Sequence, residues 1–100
     1  MQGEDIAQAK INRGQRSRQL LDDPVLNEAF IALMEDADAA ADNSKPHESD
    51  LREECYRAKQ AIKAVRKKLA IWVSDAAIER KYLDEINQKN AAKAGEDVAA

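Results

Sequence analysis

Residues 51–86 read LREECYRAKQAIKAVRKKLAIWVSDAAIERKYLDEI, and their spacing decides the fold. Leu51, Cys55, Ala58, Ile62, Val65, Leu69, Trp72 and Ala76 follow one another in alternating steps of four and three. The same count continues through Glu79, Leu83 and Ile86, and only Glu79 interrupts the apolar series. A period of 3.5 residues keeps one stripe of a helix turned toward a partner helix, as in a coiled coil. Residues 24–41 repeat the pattern at Leu26, Phe30, Leu33, Ala37 and Ala40. Between the two patterns lies a polar stretch, 42–49, containing Pro46. The spacing therefore predicts an antiparallel helical hairpin.

Punctuation elsewhere sets the other boundaries. Asp23 is a good helix cap, and Pro24 at the first helical position loses no needed hydrogen bond. Asp50 with Glu53 fits a capping-box variant opening the third segment. The expected helices are about 4–21, 24–41 and 50–90, in one domain spanning 1–94, with 95–100 a tail beginning at Gly95. Ser74-Asp75 offers a second capping site, where the third segment would break and turn back. No alternating run of β-branched residues predicts a strand. The fold class is all-α: a coiled-coil-like hairpin with a long C-terminal helix and an additional N-terminal helix.

Charge agrees with the pairing. Residues 22–54 hold 11 acids and two bases, whereas 56–68 hold six bases and no acid. Folding the hairpin brings these segments side by side. Exposed pairs contribute only about 0–1 kcal/mol each, so charge selects register more than it adds stability.

The two arms differ in length. At about 1.5 Å per residue, the second segment spans roughly 27 Å and an unbroken third segment roughly 60 Å. The overhang carries Trp72, Val73, Ile78, Leu83 and Ile86, and we expect Leu69, Trp72, Val73, Leu83 and Ile86 to form a protein interface. The first segment reads as a poor cover: its stripe is Ile6, Ala7, Ile11, Leu20 and Leu21, and Gly14 costs about 1 kcal/mol relative to Ala in a helix interior. Self-association or a larger partner is the expectation.

Composition narrows the classes further. The 100 residues carry a net charge of −3, 19 alanines and only 19 residues of Leu, Ile, Val and Phe together. Near-balanced charge and abundant alanine favour ordered helix over disorder. No apolar run approaches about 18 residues, so no membrane span is expected. No basic-then-apolar leader is evident at the N-terminus. One cysteine makes neither an internal disulfide nor a cysteine-rich zinc site. His47 is the sole histidine and falls in the loop, while Cys55 falls on the seam. No catalytic residue, cofactor or metal ligand is assigned, and the chain reads as non-enzymatic.

Arg13, Arg16 and Arg18 lie within six residues and are candidate contacts to phosphates or an acidic partner. No aromatic is interleaved for base stacking. Arg52, Lys59, Lys63 and Arg66 form a second basic stripe, which acidic residues 22–54 are placed to neutralise.

One resemblance adds a setting. The run Arg13-Gly14-Gln15-Arg16, then Leu20-Leu21 and Asn27-Glu28-Ala29-Phe30, is followed by Asn43-Ser44, Asp50, Arg52-Glu53 and Ala64-Val65-Arg66-Lys67-Lys68-Leu69. Over about residues 13–73 the chain resembles small proteins encoded by tailed bacteriophages and prophages among virion-assembly genes. Typical members end soon after the position of Val73 and have no assigned catalytic residues. The resemblance implies a role in particle assembly, in the bacterial host cytoplasm or in the virion itself. The expected partner is a second copy or a larger virion protein. The alternatives are a nucleic-acid-binding assembly factor, such as a small packaging-terminase component, resting on the arginines, and a small inhibitor of a host protein, resting on the acids of 22–54.

Overall fold

A computed structural model describes the backbone of residues 2–99 and the side chains of residues 3–93. It contains three helices: α1 (Gln2–Leu21), α2 (Pro24–Asp42) and α3 (Ser49–Ala99). No strand occurs among the described residues. α3 continues through Gly95 to Ala99, past the end expected near residue 90, so the backbone of 95–99 is helical where a tail was expected.

Each start has a local cause. The Asp23 carboxylate accepts a hydrogen bond from the Leu26 amide at 2.9 Å, and Pro24 occupies the first turn of α2. Asn27 donates to the Leu21 carbonyl at 2.9 Å and ties the end of α1 to the beginning of α2. The α2–α3 loop is held mainly by Arg52, whose guanidinium donates to Ser44 Oγ and to the carbonyls of Lys45 and Pro46. The capping box expected at Asp50 and Glu53 is not used. α3 begins one residue earlier, Glu48 accepts from the Lys45 amide, and Glu53 pairs with Arg57 at 2.8 Å.

α3 runs unbroken through Ser74 and Asp75. The break offered there does not form: α1 packs along this stretch, with Ala76 buried against Gly14 and Asp75 3.8 Å from Arg13. α1 and α2 both run antiparallel to α3 and lie in series along it. α2 meets its first half, through Asp38–Lys59 and Phe30–Arg66. α1 meets its second half, through Lys10–Glu79 and Arg13–Asp75. α1 and α2 barely touch each other. The result is a rod of 82 × 24 × 16 Å, two helices across at most points.

The overhang of α3 is therefore covered by α1, which has more contact with α3 than α2 does. This corrects the reading of α1 as a poor cover. Its buried stripe is Ala7, Ile11, Gly14 and Ser17, mostly small residues that admit a close helix approach. A Cβ built on Gly14 would overlap that of Ala76 and lie 2.8 Å from the Trp72 carbonyl oxygen. The glycine that weakens α1 alone is what lets it dock. Ser17, 2% exposed, donates to the Arg13 carbonyl at 2.7 Å, so its hydroxyl is buried at no hydrogen-bond cost.

The α2–α3 seam keeps Leu26, Phe30, Ala37, Leu51, Cys55 and Ile62 as expected and differs from its sequence reading only at the positions between them. Leu33, Ala40, Ala58 and Val65 are exposed, while Met34, Ala41, Lys59 and Arg66 are partly covered. Lys59 and Arg66 lay their aliphatic stems on the seam and direct their charged ends to Asp38, at 2.6 Å, and over the Phe30 ring, at 5.9 Å.

Candidate interaction surface

The five residues expected at an interface all sit on the α1-facing side of α3. Leu69 is 8% exposed, and Trp72, Val73, Leu83 and Ile86 are partly covered. Glu79, the interruption in the apolar series, bonds to Lys10 at 3.4 Å. Trp72 carries the Arg13 guanidinium 4.6 Å above its ring centroid. A cation held over indole is attracted by the ring quadrupole, and the same guanidinium lies beside Asp75. Arg13 is thus committed within the chain.

The arginine cluster is divided by this packing. Arg16 and Arg18 remain exposed; Arg16 bonds to Gln19 at 3.1 Å and Arg18 pairs with Asp22 at 3.7 Å. Arg18 faces Arg80 across an open groove of about 390 Å³, floored by Gly14, Val73 and Ala76 and flanked by Gln15 and Gln19. The basic stripe of α3 is largely spent inside the molecule: Arg52 on the loop, Lys59 on Asp38, Arg66 on Phe30.

His47 is exposed in the loop, and Cys55 is a buried free thiol facing α2. Among the described residues, no group of three His, Cys, Asp or Glu side chains is placed to hold a metal ion. No described helix is long and apolar enough to cross a membrane.

The sequence reading placed Ile78 on the overhang but did not recognise the separate stripe that it forms on α3 with Ile71 and Tyr82. Ile71 is 41% exposed, Ile78 66% and Tyr82 47%. At about 100° per residue they lie roughly 140° round the helix from the Leu69–Ala76–Leu83 face that α1 covers. Asp75 falls on the edge of this stripe, already paired with Arg13. Ile6 of α1, 57% exposed, falls one turn before Lys10, and the antiparallel register sets it level with Tyr82 and Leu83. The opposite side of the α1–α3 pair presents Gln15, Arg18 and Arg80. Val25, Ile31 and Leu33 of α2 and Tyr56 and Val65 of α3 are exposed as well, on the α2–α3 half of the rod. The signal for the Ile71–Tyr82 stripe was present in the sequence as a second four-three series, 71–75–78–82, hidden beside the stronger one.

No family model matches the chain, and neither a curated protein nor a solved structure matches it.

Proposed function

We propose that this chain is a non-enzymatic helical interaction protein that acts in bacteriophage particle assembly, by self-association or by docking onto a larger virion protein. The observation that carries the interaction role is the exposed stripe of Ile71, Ile78 and Tyr82, extended by Ile6, on a rod too thin to bury it. Large exposed apolar side chains in a continuous stripe are typical of association surfaces. The phage setting comes from the resemblance over residues 13–73, and with it the host cytoplasm or the virion as the place of action.

The test of the setting is direct. In a phage that encodes the chain, mass spectrometry of purified particles and assembly intermediates should find it in at least one of them. Absence from both contradicts particle assembly.

A second reading, a nucleic-acid-binding assembly factor, has one supporting observation: the groove flanked by Arg18 and Arg80. It predicts DNA binding at about 50 mM salt that falls steeply as salt rises and weakens on Arg18→Ala or Arg80→Ala. No binding at that salt removes it.

A further inference from the structure

We propose that the uncovered stripe of α3 docks against the same stripe of a second copy, antiparallel, in one defined register. This deepens the self-association reading above and rests on it.

The stripe continues the four-three count in both directions: Lys68, Ile71, Asp75, Ile78, Tyr82 and Glu85. All but Asp75 are exposed, and neither Lys68 nor Glu85 has an ion-pair partner among the described residues. In an antiparallel coiled coil the two kinds of seam position face each other across the interface. Setting Ile71 opposite Tyr82 of the second copy puts Asp75 opposite Ile78 and Lys68 opposite Glu85. The two-fold axis then passes between Ala76 and Ala77, and every pairing occurs twice.

Charge chooses this arrangement over its alternative. A parallel pair in register would set Lys68 on Lys68, Asp75 on Asp75 and Glu85 on Glu85. The antiparallel pair sets lysine on glutamate at both ends and isoleucine and tyrosine between. Asp75 lies 3.8 Å from the Arg13 guanidinium of its own chain, so the partner's Ile78 meets an ion pair rather than a lone carboxylate. α1 leaves the site clear, since it covers the other side of α3. The stripe is thus complementary to itself under a two-fold operation, which is what an isologous dimer requires and what an unrelated partner has no need of.

The experiment uses the full chain and four variants: Lys68→Glu, Glu85→Lys, the double charge swap, and Ile78→Glu. Molar mass is followed by light scattering and sedimentation across a range of concentrations, and helix content by circular dichroism. The expected result is a wild-type dimer, a dimer dissociation constant raised about tenfold or more by each single charge reversal, and recovery toward wild type in the double swap. Ile78→Glu should be monomeric with unchanged helix content. These are exposed positions, and circular dichroism separates loss of pairing from loss of folding. A dimer that ignores the charge reversals, or is not recovered by the double swap, overturns the register while leaving self-association standing. A dimer that survives Ile78→Glu places the interface on another face and overturns the proposal. A wild-type chain that is monomeric throughout overturns the self-association reading as well.

Discussion

Gly14 decides how α1 meets α3. Its Cα lies so close to Ala76 and the Trp72 carbonyl that any side chain forces the helices apart. Two effects compete: alanine improves helix propensity by about 1 kcal/mol, and overpacking costs about 1–3 kcal/mol. The obstruction includes backbone, which yields less than a side-chain end, so the steric effect wins. Gly14→Val should lower stability by at least about 1–3 kcal/mol, read as a reduced thermal midpoint. Gly3, with nothing within 4 Å, is the control, and Gly3→Ala should be neutral or slightly stabilising. Equal effects at the two glycines would contradict the docking described. Arg13→Ala should change the emission of Trp72, the single tryptophan, and should cost no more than about 1 kcal/mol, because the guanidinium is half exposed.

At the scale of the helices, the sequence announced some features clearly and concealed others for physical reasons. The start of α2 was legible because Asp23 and Pro24 act through local backbone chemistry. The hairpin was legible because a four-three period survives any exact phase. The positions between the anchors were not: counting apolar residues favours Ala58 and Val65, but the long stems of Lys59 and Arg66 cover the seam instead. The role of α1 was missed because a stripe built on alanine, glycine and serine looks weak until the closeness of approach is known. The continuity of α3 was open because a capping pair such as Ser74-Asp75 permits a break without requiring one, and the packing of α1 along this stretch belongs to tertiary structure. Asp23→Ala should cost about 1 kcal/mol by removing the cap on the Leu26 amide, checked by chemical denaturation. An unchanged midpoint would show that the Asn27–Leu21 bond alone fixes the corner.

At the scale of the molecule, the rod is unusual in how little it buries. Ala7, Ile11, Cys55, Leu69 and Ala76 are the buried apolar residues among those described, and α2 contributes none. A cross-section of two helices gives each helix one covered face. Small folds with thin cores commonly gain stability by association, and stability then depends on concentration. The thermal midpoint should therefore rise as protein concentration rises, and Ile78→Glu should abolish that dependence. A midpoint independent of concentration would mean that the monomer is stable alone.

We propose the exposed stripe of α3 as the surface through which this protein associates. The most direct test is molar mass in solution, by size-exclusion chromatography with light scattering, for the wild type and Ile78→Glu at low and high salt. The account predicts a wild-type mass of two chains that persists in high salt, because apolar contacts carry it, and a mass of one chain for the variant. A single-chain wild type at every concentration, or a variant with the wild-type mass, would contradict it.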